Sequence, residues 1–148
     1  MHSRGGVSDM ATYTHAVYDS VLDTVISELN QWITAALAAG VSAASIVVDP
    51  GIGFAKRKEH SLAVVAGLAQ VVALGYPVMV GASRKRFIGE LTGETVAAAR
   101  VMGTIAVNVA ALERGARLFR VHDVKQNRQA LDVAWAVMNA EVGVGREA

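Results

Sequence analysis

The feature that most constrains this chain is a regular alternation of short apolar runs with longer amphipathic segments. Residues 46–48, 78–80 and 118–121 form short runs rich in β-branched or aromatic side chains, as buried strands do. Each run lies between segments whose apolar residues recur three and four positions apart, the spacing of one helix face. This alternation predicts an α/β protein with a parallel sheet. The centres of the runs are 32 and 40 residues apart, which leaves room for a crossover helix in each unit.

Four helices are predicted around these runs, and glycines or turns mark their ends. The apolar face of the first comprises Leu22, Val25, Ile26, Leu29, Ile33 and Leu37, and the helix is expected to stop at Gly40. The second spans residues 61–74 and the third residues 95–114, with Gly115 as its cap. The third helix is expected to turn inward Ala98, Met102, Ile105, Val109 and Leu112. The last spans residues 123–140, and the tail from Gly143 onward is expected to be frayed.

Composition excludes several classes of protein. With 53% hydrophobic and 18% charged residues, the chain is too apolar to be intrinsically disordered. A net charge of +1 argues against a nucleic-acid partner, since such proteins usually carry a clustered basic surface. The sequence has no cysteine, which excludes disulfides, thiolate catalysis and Cys-ligated zinc and is compatible with the expected cytoplasmic location.

The longest apolar stretch, residues 62–81, has about the length of a membrane span. Gln70, Gly75 and Pro77 interrupt it, so we interpret it as a helix followed by a strand and expect no membrane partner. The N-terminus lacks the apolar region of a signal peptide.

Polar or ionisable side chains occur where each predicted strand ends. Asp49 ends the first strand, because the proline that follows pushes its backbone out of the helical region. Residues 83–85, Ser-Arg-Lys, follow the second strand, and Arg120 and His122 end the third. In parallel α/β folds the carboxyl ends of the strands form the ligand-binding edge. The sequence therefore predicts one site built from three strand ends.

The first candidate segment is Asp-Pro-Gly-Ile-Gly-Phe-Ala-Lys, residues 49–56. A carboxylate at a strand end can accept two parallel N–H bonds from a planar heterocycle. Gly51 and Gly53 would allow a tight turn and a close approach of the backbone to a ligand. The alternative is an ordinary turn in which Asp49 only caps the next segment.

The second candidate segment is residues 81–89, Gly-Ala-Ser-Arg-Lys-Arg-Phe-Ile-Gly. Lys85 offers three donors for a ring carbonyl or ring nitrogen, and Arg84 and Arg86 add positive potential. Backbone N–H groups in such a loop can also hold a carboxylate, especially at a helix start. The alternative is a solvated basic loop.

The third candidate segment is residues 120–124, Arg-Val-His-Asp-Val. Because alternate side chains of a strand share a face, Arg120 and His122 are expected to point the same way. Together they could hold a phosphate or a pyrophosphate. The alternative is a structural histidine with a satisfied ring. The remaining histidines, at positions 2, 15 and 60, are interpreted as structural or solvated, and the run 56–58, Lys-Arg-Lys, as a solvated helix start.

Taken together and in this order, the three segments resemble dihydropteroate synthase, a family of folate-pathway enzymes. That family carries Asp-Pro-Gly-x-Gly-Phe-x-Lys on its sixth barrel strand, Ser-Arg-Lys after its seventh and Arg-x-His-Asp at its eighth. Residues 49–56, 83–85 and 120–123 match these motifs. Residues 1–5, Met-His-Ser-Arg-Gly, are similar to the segment at the end of the fifth strand. The resemblance covers nearly the whole chain.

The resemblance implies an enzyme that condenses 6-hydroxymethyl-7,8-dihydropterin pyrophosphate with p-aminobenzoate and releases pyrophosphate. It implies three groups of contacts and no acid, base or nucleophile among them. The pterin would contact Asp49, Lys85, Arg120, Phe54 and Gly81. The pyrophosphate would contact Arg120 and His122. The p-aminobenzoate would contact Ser83, Arg84, Lys85, Arg86 and Phe54. Many members have a small hydroxyl residue where this chain has Arg86, so backbone N–H groups are an alternative contact for the substrate carboxylate.

The resemblance also implies parallel βα units from the C-terminal part of a TIM (β/α)8 barrel. Residues 1–148 would form one truncated pterin-binding domain with the equivalents of the end of the fifth strand through the eighth. The cofactor Mg²⁺ is expected, although its usual protein ligand is an Asn of the absent first half, so no metal ligand is expected in this chain. A homodimer is expected through helices 95–114 and 123–140. The chain alone is expected to have little or no activity.

Two other functions stay open from the sequence. One is a non-catalytic pterin-binding fragment or a fragment that complements another chain. The other is a methyltetrahydrofolate-binding methyltransferase domain, which shares the pterin-binding barrel. The methyltransferase interpretation is less favoured, because such a domain would not use pyrophosphate and aminobenzoate sites at residues 83–85 and 120–122.

Overall fold

The computed structural model of the chain describes residues 1–10 and 12–140, which form α-helices packed on a small parallel sheet. The helices are α1 (Val21–Ala38), α2 (Lys58–Ala66), α3 (Leu68–Val72), α4 (Arg86–Thr92), α5 (Val101–Glu113) and α6 (Val124–Met138). The strands are β1 (Met79–Val80) and β2 (Leu118–Phe119), and single 3₁₀ turns lie at Ala43–Ser45 and Ala97–Ala99. The predicted tail beyond Gly143 lies outside the described residues.

The predicted parallel sheet is confirmed, although its strands are shorter than their apolar runs. Strands β1 and β2 pair in parallel, with Met79 opposite Leu118. The run 46–48 joins them through a parallel bridge between Val48 and Val78, in which the Met79 N–H donates to the Val48 carbonyl at 2.8 Å. On the other side of that run, the His2 N–H donates to the Asp49 carbonyl at 2.7 Å. Four chain segments therefore lie side by side and bring their ends to one edge.

The core lies between this sheet and helices α1 to α5. Its α1 side comprises Val21, Val25, Leu29 and Ile33. Of the predicted helix face, Val25, Leu29 and Ile33 are buried, and Leu22 and Ile26 are partly buried against the core. The prediction was wrong for Leu37, which is exposed because the last turn of α1 passes beyond the core. Gly40 ends this helix as predicted, with a φ of +87° that favours glycine, while the Val41 N–H donates to the Ala36 carbonyl.

The predicted helix over residues 61–74 is two helices, α2 and α3, separated at Gly67. A Cβ added at Gly67 would overlap the side chain of Leu22 on α1. The absence of a side chain thus lets α1 and α2 approach closely, which the helical periodicity alone did not indicate. Helix α2 also begins earlier than predicted, at Lys58.

The predicted helix over residues 95–114 begins only at Val101, and its inward face differs from the predicted one. Its buried residues are Thr104, Asn108, Ala111 and Leu112, so only Leu112 of the predicted buried set is fully buried. Met102 is 77% exposed, and Ala98 lies exposed in the preceding 3₁₀ turn. The apolar pattern predicted the wrong helix face because two polar residues, Thr104 and Asn108, are buried and hydrogen-bonded inside the protein.

Helix α4 was not predicted as a helix, because its seven residues are too few to show a clear period. It buries Phe87 and Ile88 and ends at Gly93, whose φ is +76°. The last predicted helix is confirmed as α6, and Gly115 caps α5 with a φ of +98°. Among the residues that the structure describes, no helix is both long and apolar enough to cross a membrane.

Candidate functional site

Two adjoining cavities lie at the edge where the parallel segments end, and Lys85 lines both. The larger, about 210 Å³, is lined by Tyr13, Gly53, Phe54, Lys56, Lys85, Arg86 and Phe87. The smaller, about 130 Å³, is lined by Gly81, Ser83, Lys85, Arg120, Val121 and His122. The three sequence segments predicted to form one site are thus brought together.

The loop that starts at Asp49 has a tightly defined backbone. The Asp49 carboxylate is nearly buried and accepts a hydrogen bond from the Gly51 N–H at 2.7 Å. Gly51 has a φ of +67°, and a Cβ added there would overlap the backbone carbonyl of His2. Further along, the Tyr18 hydroxyl donates to the Ala55 carbonyl at 3.0 Å. A glycine is therefore required at position 51, both by its backbone angle and by its close contact with the His2 carbonyl.

Lys56 holds this loop from inside, contrary to the prediction that it begins a solvated helix. Its side chain is only 1% exposed, and its Nζ donates to the carbonyls of Gly51 and Phe54, both at 3.1 Å. The Nζ also lies 2.8 Å from His2 Nδ1. Burial, aided by the charge on Lys85, lowers the pKa of Lys56 to about 7. The ammonium thus cross-links the turn rather than facing solvent.

His2, interpreted from the sequence as structural or solvated, is structural and fully buried. Its Nε2 lies 2.9 Å from Glu28 Oε2, and Arg4 Nη2 donates to the other carboxylate oxygen at 2.7 Å. When Lys56 donates to His2 Nδ1, the proton must be on Nε2, where it reaches Glu28. Burial and the Lys56 charge lower the pKa of His2 to about 4, so the ring is neutral at pH 7. A chain of polar contacts therefore links α1 to the loop.

Lys85 lies at the junction of the two cavities. Its Nζ donates to the Ile52 carbonyl and lies 3.8 Å from the centre of the Phe54 ring. Burial lowers the pKa of Lys85 to about 8, while the Asp49 charge opposes that shift. A Cβ added at Gly53 would lie 2.8 Å from Lys85 Cδ, so the lysine stem passes directly over the glycine. The first and second candidate segments meet at this contact.

Ser83 joins the second and third candidate segments. Its Oγ accepts a hydrogen bond from the His122 N–H at 3.1 Å and lies 2.8 Å from His122 Nδ1. The serine is nearly buried, whereas His122 and Arg120 are exposed toward the smaller cavity. The serine thereby orients the imidazole while leaving its other nitrogen for a ligand.

Arg84 is placed differently from its neighbours and lines neither cavity. Its guanidinium makes a two-pronged ion pair with Asp123, with distances of 3.0 and 2.6 Å. Its backbone has a φ of +58°, and its N–H donates to Thr104 Oγ1 while its carbonyl accepts from Arg100. The hydrogen bond from Arg84 lowers the pKa of the Asp123 carboxyl, which keeps the pair ionised at neutral pH. Arg84 therefore shapes the loop from behind.

Two lining residues with aromatic rings, Tyr13 and Phe87, were not predicted as site residues from the sequence. Phe87 follows the basic run within residues 81–89 and could have been suspected from that position. Tyr13 precedes α1 in a segment without periodicity, and nothing in the sequence connects it with residues 83–86. Only the tertiary structure brings it to the larger cavity.

The chemistry of the two cavities differs. The larger combines aromatic rings with the cations Lys85 and Arg86, which suits an aromatic ligand that carries a negative charge. The smaller offers Lys85, Arg120 and His122 as donors, which suits a phosphate or pyrophosphate. Because they share Lys85, ligands in the two cavities would lie next to each other.

These cationic linings do not fit a magnesium ion, which prefers carboxylate, carbonyl and water oxygens. Within residues 1–10 and 12–140, no cluster of three or more His, Cys, Asp or Glu side chains could hold a metal. Asp49, the one carboxylate of the predicted site, lines neither cavity, and its Oδ1 accepts a hydrogen bond from the Gly51 N–H.

Comparison with known proteins identifies the family to which this arrangement is similar. Residues 1–122 match the family described as pterin binding enzyme. The dihydropteroate synthase of Neisseria meningitidis serogroup C is 40% identical over 139 residues, which are 93% of this chain and 48% of that protein. The chain spans about half the length of the curated relatives it matches, or less.

Solved structures of dihydropteroate synthases are similar to this chain in fold. The dihydropteroate synthase of Thermus thermophilus in complex with 4-aminobenzoate is 47% identical, with a TM-score of 0.81 over 84% of this chain and 48% of that one. The Xanthomonas albilineans enzyme in complex with 7,8-dihydropteroate is 41% identical, with a TM-score of 0.83 over 88% of this chain and 50% of that one. The predicted parallel βα units of a (β/α)8 barrel are thus confirmed.

Proposed function

Because this chain belongs to the family of pterin binding enzymes, we propose that it carries the second half of the active site of a dihydropteroate synthase. Such an enzyme of folate biosynthesis joins a dihydropterin to p-aminobenzoate. The observation that carries the proposal is the pair of adjoining cavities that share Lys85. One suits an aromatic anion and the other a phosphate group, and the reaction needs both ligands side by side.

In the proposed reaction, the amine of p-aminobenzoate attacks the methylene carbon of 6-hydroxymethyl-7,8-dihydropterin pyrophosphate. A carbon–nitrogen bond forms, the carbon–oxygen bond breaks, and pyrophosphate leaves with the electron pair. The amine loses a proton, for which we assign no acceptor in this chain. The protein contributes mainly by orienting the two ligands and by stabilising the leaving anion.

For the pterin, we propose contacts from Phe54, Gly81, Lys85 and Arg120, which line the cavities, and from Asp49, which lines neither. The nearly buried Asp49 carboxylate would accept N–H bonds from the amino-pyrimidinone edge. Lys85 would donate to the ring, and the exposed Arg120 side chain would lie over its face. The hydrogen bond from the Gly51 N–H keeps the Asp49 carboxylate in place.

The leaving pyrophosphate would occupy the smaller cavity, between Arg120 and His122. The Arg120 fork can bind two phosphate oxygens, and His122 can donate from the ring nitrogen that does not face Ser83. Lys85, at the same cavity, would add a third donor, which carries a positive charge, near the developing negative charge.

The p-aminobenzoate would occupy the larger cavity, with Phe54, Lys85 and Arg86 in contact and Ser83 nearby. For Arg84 we propose an indirect role. A direct contact from its guanidinium would compete with the ion pair to Asp123, whose two hydrogen bonds already hold it. Its effect on the aminobenzoate would then come from ordering the loop that carries Lys85 and Arg86.

The proposal extends to the metal ion, the oligomeric state and the location of the protein. Mg²⁺ would have to enter with the pyrophosphate or be held by other parts of a full barrel, since the cavities described above do not fit it. We also propose a homodimer that forms through α5 and α6, whose outer faces are apolar. A cytoplasmic location is proposed as well, and the lack of cysteine is compatible with it.

One alternative, a non-catalytic pterin-binding or complementing fragment, draws support from the open edge of β2, where Leu118 is exposed. Because the barrel relatives are about twice as long, we expect the isolated chain to have little or no synthase activity. A methyltetrahydrofolate-binding methyltransferase domain is less favoured, since the cationic smaller cavity would have no pyrophosphate to bind.

The first test is an assay with dihydropterin pyrophosphate, p-aminobenzoate and Mg²⁺. The purified chain would be compared with a hybrid in which the first half of a relative's barrel precedes residue 1. We expect dihydropteroate formation by the hybrid only. In the hybrid, Lys85→Met should lower turnover about 100-fold, while Lys125→Met, an exposed substitution on α6, should leave it unchanged.

A folded hybrid whose activity is unaffected by Lys85→Met would contradict the proposed site. Robust turnover by the short chain would contradict the expected inactivity and would favour assembly of a complete site from several copies. Pterin binding without turnover in the folded hybrid would favour the non-catalytic alternative.

A further inference from the structure

One aromatic wall of the larger cavity comes from Tyr13, a residue outside all the motifs considered so far. It precedes α1 and is half-buried beside Phe54, Lys85 and Arg86. Its hydroxyl donates to Glu90 Oε1 on α4 at 3.0 Å, although the two residues are 77 positions apart. This contact fixes the segment before α1 on the loop and helix that follow β1.

Tyr13 also holds a cation at the cavity. The guanidinium carbon of Arg86 lies 3.9 Å from the centre of the Tyr13 ring, and that of Arg57 lies 5.1 Å from it. Glu90 Oε1, which accepts the tyrosine hydroxyl, is also 3.7 Å from Arg86 Nε. An arginine at the start of a helix would otherwise sample many rotamers, so these contacts restrict its direction.

Three cationic side chains line the larger cavity. Lys56 is held by two carbonyls and the ring of His2, which leaves Lys85 and Arg86 to face a ligand. Lys85 lines both cavities and so marks their junction, whereas Arg86 lines only the larger cavity. If an aminobenzoate binds there, its amine must face the junction, where the reacting carbon of the pterin would lie. The carboxylate, on the opposite end of the ring, would then point away from the junction, and Arg86 is the ligand-facing cation that does not belong to that junction.

We propose that Tyr13 is a specificity-determining residue, which makes the larger cavity select an aromatic amine that carries a carboxylate at its far end. The ring of Tyr13 forms one wall for the substrate and holds Arg86 as the cation that binds the carboxylate. Because a guanidinium has five N–H donors, Arg86 can keep its contact with Glu90 and still bind a second carboxylate. This inference rests on the proposed function of the cavity.

The test measures binding to the chain as it exists, with two ligands that differ in charge. Dissociation constants for 4-aminobenzoate and for the neutral 4-aminobenzamide are obtained by NMR titration in the presence of pyrophosphate. We expect the unaltered chain to prefer the acid, and Tyr13→Ala to reduce that preference about 10-fold. Tyr13→Phe keeps the ring and should retain most of the preference.

Arg86→Met provides a second variant that leaves Tyr13 in place, and it should also remove the preference for the acid. Its matched control is Arg128→Met, because Arg128 makes the same kind of contact with an acidic residue four positions on, Asp132, but lies on α6. Combining Tyr13→Ala with Arg86→Met should add little, since both remove the same interaction. Circular dichroism checks that each variant is folded.

The outcomes separate the inference from the function on which it rests. If the unaltered chain prefers the acid and folded Tyr13→Ala prefers it equally, the role of Tyr13 is overturned while the aminobenzoate site stands. If the unaltered chain binds neither ligand, or binds both equally, the proposed aminobenzoate site itself fails, and the inference fails with it. Loss of affinity for both ligands to the same extent would show Tyr13 as a structural wall only, which also overturns its role in selection.

Discussion

At the scale of single residues, the site depends on buried groups that are usually found in solvent. Lys56 is removed from water almost completely, which is costly for a charged group unless it is hydrogen-bonded. Two loop carbonyls and the ring of His2 supply its partners. Burial nevertheless lowers the pKa of Lys56 to about 7, which shows that the protonated form is destabilised in the folded chain. The lysine therefore orders the loop at a cost to the stability of the whole fold.

This burial predicts how stability changes with pH. The pKa of Lys56 is about 7 in the folded chain and about 10.5 when unfolded, so the unfolded chain binds more protons between these values. The free energy of unfolding should therefore rise as the pH increases from about 7 toward 10. Lys85, whose pKa is lowered to about 8 by burial, should add a contribution of the same sign above that pH.

Urea titrations at pH 7, 8 and 9 would measure this slope, which for one group reaches at most about 1.4 kcal/mol per pH unit. Lys56→Met should remove its share of the slope, while Lys125→Met on the exposed face of α6 should not. An unchanged slope in folded Lys56→Met would mean that the pKa of this lysine is not lowered in the folded chain.

At the scale of elements, α5 and α6 are joined by a buried polar pair. Asn108 Nδ2 on α5 donates to Asn127 Oδ1 on α6 at 2.8 Å, and Asn127 Nδ2 donates to the Asp123 carbonyl at 2.9 Å. Within the described residues, the Asn108 side-chain oxygen has no partner. Such a pair sets the register of two helices, because the Asn108 N–H and the Asn127 side-chain oxygen have their hydrogen bond only when both side chains are in place.

A double-mutant cycle should show this dependence. Asn127→Leu leaves the Asn108 amide unpaired and should cost about 1–3 kcal/mol of stability. Adding Asn108→Leu removes the stranded group, so the double variant should lose less than the sum of the two single variants. Chemical denaturation would measure all three, with the exposed Gln129→Leu on α6 as the control. Additive losses would mean that the pair contributes nothing beyond its separate contacts.

At the scale of the whole molecule, the outer face of α5 and α6 is unusually apolar for a surface. Met102 is 77% and Val133 61% exposed, and both line a shallow depression of about 500 Å³ between the helices. Apolar side chains gathered on one face, rather than scattered, are typical of a contact surface. The same face was proposed above for a homodimer.

If the proposed dimer forms there, charge on this face should prevent it. We expect Met102→Glu combined with Val133→Glu to convert a dimer into a monomer, because each buried carboxylate would face its copy without a partner. Light scattering during gel filtration would measure the mass. The control is Val7→Glu, at an exposed valine before α1. Equal masses for the double variant and the unaltered dimer would place the interface elsewhere.

The sequence by itself determined the alternation of strands and helices and the three polar strand ends, although not the short helix α4 or the break between α2 and α3. These follow from local chemistry: β-branched runs, helical spacing and the glycines at 40 and 115 report on neighbours a few residues away. For the same reason Asp49, Lys85, Arg120 and His122 could be placed at one edge from the sequence alone. Where polar residues replaced apolar ones inside, as at Asn108, that local pattern predicted the wrong helix face.

Only the tertiary structure decided which side chains close the site. Lys56 is buried because His2 approaches it from 54 positions away, and Tyr13 reaches the larger cavity because Glu90 and Arg86 hold it from α4. Arg84, which the sequence predicted as a ligand contact, is occupied by Asp123. Each of these contacts depends on which distant segments pack together, and the local periodicity of the sequence does not indicate which segments those are. The contacts follow from burying the whole core at once, so they appear only when the chain is folded.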